Sequence, residues 1–329
     1  MDVSISSITV GIPVSNAMAW LPEAMDSLLR QTTDAFEILA IVDGGCDDSA
    51  AYLRDLRDSR LGSRLRILEQ PQRGVTATLN RLLSEVRTPW LARMDADDVS
   101  YPCRMQRLLG AIGEHPDAGI LYSLADYHPR ERCSGRFRCS RGTPAELRSI
   151  VEGGYLLSIC HSTVALSVAK ALAVGGYRME IHAEDADLWW RMARRYEIHM
   201  LPEPLVGFRQ NPASLSARNF NRQELAGMYV QYLLLSELWG LEPRPFAEVA
   251  GVLSRFLQPA ALRAKEALRR FNMLRAEGQR LRGFAALVQS AWNSPGYLLR
   301  RARDEVLPGA VSNGVDPGLF WQQKDVLWI

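Results

Sequence analysis

A short apolar run leads directly into three carboxylates at residues 90–98, which read Trp90-Leu91-Ala92-Arg93-Met94-Asp95-Ala96-Asp97-Asp98. The apolar part predicts a buried strand that ends at the acidic turn. Three carboxylates in four residues repel one another unless a cation lies between them. A hard divalent cation with a bound diphosphate meets that need, because Mg²⁺ takes one or two carboxylates together with phosphate oxygens. The alternative is an acidic turn that caps the next helix, with Asp98 or Ser100 as N-cap.

Strand-like and helix-like segments alternate on both sides of this stretch. The β-rich runs are 8–12, 36–42, 66–69, 90–94 and 120–124, and the runs with helical spacing are 20–31, 75–86 and 103–113. The alternation predicts an α/β fold, in which helices cover both faces of a mainly parallel, Rossmann-like sheet. Ligands bind at the carboxyl ends of the strands in such sheets, and Asp43 and Asp95 both fall at such ends.

The character of the chain changes at about residue 222, beyond which helical spacing dominates. Ten basic residues lie in 260–303 against two acidic ones, with large apolar residues between them. This basic amphipathic segment predicts contact with an anionic membrane surface beside a lipid-linked acceptor. The alternative is a helical bundle that packs against the rest of the chain or against a partner subunit.

The bulk composition excludes several classes of protein. A net charge of +2 and the lack of a recognisable nucleic-acid-binding module argue against a nucleic-acid partner. We find no signal peptide and no apolar run of ~18 residues that could span a bilayer. Five cysteines, an odd number, predict reduced thiols. Together these features predict a cytoplasmic protein, with the inner face of the cytoplasmic membrane as its alternative location.

Six short motifs occur in a fixed order between residue 8 and about residue 216. They lie at 11–16, 42–49, 74–80, 92–98, 175–178 and 183–191. In this order they resemble the sequence blocks of the bacterial family 2 glycosyltransferases, which have the GT-A fold. The resemblance implies inverting transfer of a sugar from a UDP- or dTDP-sugar to a hydroxyl of a saccharide or lipid-linked acceptor. Synthesis of cell-surface polysaccharide or lipopolysaccharide is the family-level expectation.

The same resemblance divides the chain. It implies a GT-A catalytic domain over residues 1–220, with a nucleotide-binding half at about 1–125 and an acceptor half at about 126–220. Residues 221–329 then form the helical, basic C-terminal region.

A carboxylate at the end of a buried strand, such as Asp43, can accept the N3 hydrogen of a uracil or thymine ring. An Asx-turn that closes the strand is the alternative role of Asp43. The resemblance implies a Mg²⁺ or Mn²⁺ cofactor held by Asp95 and Asp97, with Asn211 as a weaker third ligand where the family usually has histidine. The donor-binding residues that it implies are Pro13, Val14, Asn16, Asp43, Gly74, Asn80, Arg93, Asp95, Ala96 and Arg209.

A second acidic group lies at the predicted start of a helix, where Asp185 leans towards the apolar face that contains Leu188 and Trp189. A carboxylate there can take the proton from an acceptor hydroxyl, and the resemblance makes Asp185 the general base. The alternative is that these acids only favour the positive end of the helix. The predicted acceptor-binding residues are His161, Glu184 and Trp189, and for His161 a structural role is the alternative.

Departures from the family pattern leave a second functional hypothesis open. Gly44 replaces an aspartate and Asn211 replaces the histidine, so a catalytically silent sugar-nucleotide-binding or scaffold protein of the same fold is the alternative to an enzyme. A sugar nucleotidyltransferase would need a glycine-rich, basic loop after the first strand, and residues 11–16 contain none. A nicotinamide dehydrogenase would need Gly-x-Gly-x-x-Gly at that place, and the sequence does not have this motif there.

Overall fold

The computed structural model describes residues 7–132, 135–179, 183–211, 219–306 and 311–328. The strands in these ranges are β1 (Ile8–Val14), β2 (Glu37–Asp43), β3 (Leu65–Gln70), β4 (Trp90–Arg93), β5 (Val99–Ser100), β6 (Ile120–His128), β7 (Leu156–Leu157), β8 (Val164–Ser167), β9 (Ile198–Arg209) and β10 (Ser312–Asn313). The α-helices are α1 (Leu21–Leu29), α2 (Ser49–Leu56), α3 (Val75–Glu85), α4 (Arg104–Glu114), α5 (Pro144–Glu152), α6 (Val168–Ala173), α7 (Glu184–Arg195), α8 (Phe220–Trp239), α9 (Phe246–Leu253), α10 (Pro259–Ala276), α11 (Arg280–Asn293), α12 (Pro295–Val306), α13 (Pro317–Gln322) and α14 (Lys324–Leu327).

Eight of the strands form one sheet in the order β3-β2-β1-β4-β8-β6-β9-β5. The pairs β2–β3, β1–β2 and β1–β4 are parallel, as the alternation of strands and helices predicts. The pairs β4–β8, β6–β8 and β5–β9 are antiparallel. The sheet is therefore mixed, and its parallel part is the half that carries the predicted nucleotide-binding motifs.

The parallel half is held by apolar side chains on both faces of its strands. Residues 38–42 of β2 are all buried, which explains why this run reads as continuously apolar. The buried face of α1 packs onto the same core through Leu21, Met25 and Leu28. Gly11 lets β1 approach its neighbours, because a Cβ there would lie 2.5 Å from Leu91 Cδ1. Substitution of Gly11 would require the Leu91 side chain to move.

The described chain divides into two compact units. The first comprises Met1–Asp126, Ile159–Arg178 and Arg191–Arg209, and the second comprises Tyr127–Ser158, Met179–Trp190 and Gln210–Ile329. In the second unit Tyr232 lies at the centre of an aromatic core with Phe320 and Leu327. The Tyr232 hydroxyl donates to the carbonyl of Leu327 at 2.8 Å and accepts the amide of Arg244 at 2.8 Å. The buried phenol therefore has partners for both of its hydrogen-bonding functions.

In the described part of the chain, no helix combines the length and the apolar character needed to cross a membrane. Cys46, Cys103, Cys139 and Cys160 are free thiols.

Candidate functional site

The acidic turn between β4 and β5 brings three carboxylates together. Oxygen atoms of Asp95, Asp97 and Asp98 all lie within 4.8 Å of one another. Asp95 and Asp97 are half-buried, whereas Asp98 is 1% exposed. Burial, followed by the charges of Asp97 and Asp95, raises the pKa of Asp98 well above its ordinary value. Negative charge on Asp98 is therefore disfavoured unless a cation lies nearby.

Two buried arginines supply such positive charge. A nitrogen of the Arg93 side chain lies 2.5 Å from Asp95 Oδ2, and Arg104 Nη2 donates to the carbonyl of Arg93 at 2.8 Å. Burial lowers the pKa of Arg104 to about 10, so this guanidinium stays charged at neutral pH. For Arg93, burial is outweighed by the charge of Asp95, and its pKa is raised. Both cations are therefore fixed in the charged state beneath the turn.

One oxygen of the cluster has no hydrogen-bond partner. Asp98 Oδ1 accepts the backbone amide of Arg209 at 2.8 Å, but the buried Oδ2 of Asp98 has no partner in the described part of the chain. A buried carboxylate oxygen without a partner is costly. Together the carboxylates of Asp95, Asp97 and Asp98 give an all-oxygen donor set. This set fits a hard divalent cation such as Mg²⁺ or Mn²⁺.

Ser162 orients the first carboxylate of the turn. Its hydroxyl accepts the backbone amide of Asp95 at 2.9 Å and donates to Asp95 Oδ2 at 3.1 Å. Ser162 reaches this position because it lies in the short turn His161–Thr163 before β8, which pairs antiparallel with β4. The sequence analysis missed this residue, since nothing in the sequence links a serine to an aspartate 67 positions earlier.

Arg209, a predicted donor-binding residue, is attached to the acidic turn. Its Nε donates to the carbonyl of Asp97 at 2.7 Å, and its Nη2 forms an ion pair with Glu23 at the start of α1. Glu23 was also missed by the sequence analysis. These contacts fix the direction of the Arg209 guanidinium beside the carboxylate cluster.

Asp43 ends β2 and closes the turn that follows β3. Asp43 Oδ1 accepts Gln70 Nε2 at 2.8 Å and the Arg73 amide at 2.7 Å, and Oδ2 accepts the Gly74 amide at 2.9 Å. Gly74 precedes α3 with a φ of 88°, a conformation that favours glycine. A carboxylate has about four acceptor positions, so roughly one remains on Oδ2. The turn-closing role and a base-reading role are therefore compatible.

Asn16 links the turns that follow β1 and β2. Its Oδ1 accepts the amide of Cys46 at 2.9 Å, and its φ of 48° places it in the left-handed region that asparagine tolerates. Pro13 and Val14 lie at the end of β1, and Ala96 is buried within the acidic turn. All of these predicted donor residues therefore lie in the first compact unit, which also contains Asp43 and Asp95.

The side chain of Asn80 is used within the protein. Its Nδ2 donates to the carbonyl of Tyr177 at 2.6 Å, and its Oδ1 accepts the Tyr177 amide at 2.9 Å. Arg191 holds the same turn from the other side through the carbonyls of Val174 and Gly176, at 2.6 and 2.7 Å. The motif at 74–80 and the motif at 175–178 are therefore joined directly. This contact gives Asn80 a structural role that is independent of any donor.

Tyr177 in turn contacts His161. The Tyr177 hydroxyl and His161 Nε2 lie 2.8 Å apart. Burial, with a further contribution from the charge of Arg93, lowers the pKa of His161 well below its ordinary value. His161 is therefore neutral at pH 7 and carries one ring hydrogen.

Residues 9–166 match the family model described as Glycosyl transferase family 2. The match covers just under half of the chain and places the family similarity in its first half.

Comparison with individual proteins agrees with this assignment. Over 112 residues the chain is 36% identical to the PGL/p-HBAD biosynthesis glycosyltransferase of Mycobacterium bovis (strain BCG / Pasteur 1173P2), an alignment that covers 34% of this chain. It covers 43% of that relative, so the chain spans less than half of the relative's length.

Two solved structures show the fold. The Pyrobaculum calidifontis mannosyltransferase PcManGT in complex with GDP-Man and Mn²⁺ has a TM-score of 0.53 at 16% identity, covering 90% of this chain and 80% of that chain. The S. aureus TarS 1–349 in complex with UDP-GlcNAc has a TM-score of 0.51 at 14% identity, covering 88% and 92%. The predicted GT-A fold with a helical C-terminal region is therefore confirmed.

The remaining predicted site residues lie outside the first compact unit. Glu184 and Asp185 are in the first turn of α7, and Asp185 Oδ1 accepts the amide of Ala186 at 2.7 Å. Trp189 is buried, so its ring contributes to packing. Asn211 follows β9 and is also buried. The catalytic, acceptor and metal-binding roles of these four residues stay predictions.

Proposed function

We propose that the chain transfers a sugar from a UDP- or dTDP-sugar to a hydroxyl group of a saccharide or lipid-linked acceptor, with inversion at the sugar carbon. One observation carries this proposal. Three carboxylates converge at the carboxyl end of β4, and the buried Oδ2 of Asp98 among them has no partner in the described residues. A solely structural acidic turn would leave the part of this repulsion that Arg93 and Arg104 do not offset, whereas a cation with a bound diphosphate relieves it.

Asp95 and Asp97 are the residues that would hold Mg²⁺ or Mn²⁺, and Asn211 is a further candidate. When bound, such an ion neutralises charge on the departing diphosphate. The PcManGT structure contains Mn²⁺, which supports a divalent metal in this fold. Arg93 and Ser162 hold Asp95 in one orientation, so this carboxylate is positioned before any donor binds.

The donor base is proposed to lie at Asp43. The acceptor position that remains on Asp43 Oδ2 suits the N3 hydrogen of uracil or thymine. TarS binds UDP-GlcNAc in its solved complex, which supports a uridine donor, whereas PcManGT binds GDP-Man. The other donor contacts proposed are Pro13, Val14, Asn16, Gly74, Arg93, Ala96 and Arg209. Asn80 supports them by holding the turn at Tyr177.

Transfer follows from the chemistry of these groups. Asp185 takes the proton of the acceptor hydroxyl, and the resulting oxygen attacks the sugar carbon from the face opposite the diphosphate. The bond between this carbon and the diphosphate oxygen breaks as the new glycosidic bond forms. Arg209 stabilises the negative charge on the leaving nucleoside diphosphate. His161, Glu184 and Trp189 are proposed to contact the acceptor.

The domain limits belong to the same proposal: a catalytic domain over 1–220 and a helical region over 221–329. The M. bovis relative is named as a PGL/p-HBAD biosynthesis glycosyltransferase, which supports a biosynthetic glycosyl transfer. A role in cell-surface polysaccharide or lipopolysaccharide synthesis stays a prediction.

A panel of UDP-, dTDP- and GDP-sugars tests the proposal. Each donor is incubated with the chain and Mn²⁺ or Mg²⁺, and both donor cleavage and thermal stabilisation are measured. We expect one UDP- or dTDP-sugar to be cleaved only when the metal is present. Stabilisation by a donor that is never cleaved, with or without acceptors, would favour the silent binding protein. Cleavage of GDP-sugars alone would refute the role of Asp43 in reading the base.

A further inference from the structure

Helix α11 exposes its largest apolar side chains. Leu281 and Trp292 are 89% and 88% exposed, and Phe284 and Val288 are more than half exposed. In an α-helix successive residues are turned by roughly 100°, so these four side chains lie within an arc of about 80°. They form one continuous apolar stripe along α11, which we call the outer face of α11.

The opposite side of α11 is already packed. Gly283, Ala286 and Ser290 are buried, and the Ser290 hydroxyl donates to the carbonyl of Ala264 on α10 at 2.8 Å. Small residues therefore face the protein, and large apolar residues face outward. This inverts the ordinary pattern of a surface helix, in which the apolar stripe faces the core. The exposure of the outer face is thus not the result of an undocked helix.

Two arginines border the outer face of α11. Arg280 and Arg282 flank the stripe on its two sides, and both are exposed. On α12, Leu299 is 71% exposed and Arg300 is exposed, whereas Arg303 forms an ion pair with Asp304. No aspartate or glutamate occurs in α11. The outer face of α11 therefore combines an apolar stripe with two flanking arginines.

We propose that the outer face of α11 binds an anionic lipid bilayer, with α11 lying in the plane of the interface. An amphipathic helix of this kind places its apolar side chains at the boundary between headgroups and acyl chains, and its arginines contact anionic headgroups. Trp292 suits this position, because its indole has an apolar ring and a polar N–H that can stay hydrated. The proposal refines the sequence-based expectation for residues 260–303 to one face of one helix.

Two other occupants fit less well. A second copy of this chain on the same face would bring Arg280 and Arg282 of both copies together, and α11 carries no acidic residue that would offset them. Nucleic acid would be attracted by the arginines, but aliphatic side chains such as Leu281 and Val288 offer it no stacking surface. An anionic membrane offers acyl chains to the apolar stripe and negatively charged headgroups to the arginines.

Flotation of the full chain with lipid vesicles tests the proposal. We expect the chain to float with vesicles of equal parts phosphatidylglycerol and phosphatidylcholine, and to float weakly with phosphatidylcholine alone. Phe284→Ser and Trp292→Ser should each weaken binding about tenfold or more, because each removes one large apolar side chain from the bilayer. The double variant Arg280→Gln/Arg282→Gln should weaken binding to the anionic vesicles by about fivefold for each arginine. It should also make the remaining binding less sensitive to salt.

Leu172→Ser is the matched control, since Leu172 is 50% exposed but lies on α6. It should bind vesicles like the unaltered chain, and all variants should keep the same thermal midpoint because the altered side chains are exposed. Equal vesicle binding by Trp292→Ser and the unaltered chain would overturn the proposal. So would a dimer in gel filtration that Trp292→Ser dissociates, because the face would then bind a second copy. UDP binding measured on the same samples keeps this result separate from the proposed transfer activity.

Discussion

The backbone amide of Arg209 donates to Asp98 Oδ1 at 2.8 Å, which ties the end of β9 to the acidic turn after β4. The Arg209 side chain adds a second link through Nε to the carbonyl of Asp97 at 2.7 Å. The first link survives any substitution of the side chain that keeps the backbone amide. The charge of Arg209 can therefore be removed while the turn stays attached to β9.

Replacing Arg209 by glutamine tests whether its charge stabilises the leaving group. We expect turnover to fall by about 10²-fold with a small change in donor KM, because the guanidinium acts mainly as negative charge develops on the diphosphate. Steady-state kinetics with the active donor measures both constants. Arg107→Gln is the control, since it removes an exposed ion pair with Glu203 and should leave both constants unchanged. Normal turnover by Arg209→Gln would remove Arg209 from this role.

The Asp43→Asn substitution separates turn closure from base reading. The asparagine side chain has one acceptor oxygen for the three groups that donate to the Asp43 carboxylate, so we expect the free energy of unfolding to fall by about 1–3 kcal/mol. We also expect UDP affinity to fall about tenfold. Urea unfolding and calorimetry measure the two effects, with the exposed Asp34→Asn as control. A loss of stability without a loss of UDP affinity would restrict Asp43 to the turn.

Asp185→Asn tests the proposed general base. Turnover should fall by about 10²–10⁴-fold while nucleotide binding persists, because the amide cannot accept the hydroxyl proton. Glu184→Gln, in the same turn of α7, provides the comparison and should affect the acceptor KM more than turnover. Transfer by Asp185→Asn at a near-normal rate would show that another group takes the proton.

The sequence predicts the parallel half of the fold well, and the reason is local. Residues 38–42 are apolar on both faces, and Asp43 marks the end of that strand. The antiparallel half is harder to predict, because Pro202 and Pro204 lie inside β9 and proline normally argues against a strand. Its pairing with β5 depends on contacts between residues about a hundred positions apart.

The residues of the candidate site also divide into those that the sequence predicts and those that it does not. Asp43 and Asp95 are predictable, since each belongs to a recognisable motif. Ser162 and the buried Arg104 are not predictable as site residues. Ser162 contacts Asp95 only because β8 pairs with β4, and the burial of Arg104 depends on packing that its sequence neighbours do not indicate.

The pH dependence of stability tests the environment of His161. Its pKa in the folded chain is below the ordinary value of about 6.5, so the unfolded chain binds a proton more readily as the pH falls. The unaltered chain should therefore lose stability below about pH 6.5 relative to His161→Gln, because protonation favours the unfolded state. Urea unfolding of both proteins, carried out at about half-unit steps between pH 5 and pH 8, measures the difference in their free energy of unfolding. Parallel stability profiles would contradict a buried neutral histidine.

Calorimetric titration of UDP into the unaltered chain and into Asp97→Asn, each with and without Mn²⁺, tests the metal–diphosphate site most directly. We predict that Mn²⁺ strengthens UDP binding at least about tenfold in the unaltered chain, and that Asp97→Asn abolishes this gain while weak metal-free binding remains. UDP affinity that is the same with and without Mn²⁺ in the unaltered chain would contradict a metal site at Asp95, Asp97 and Asp98.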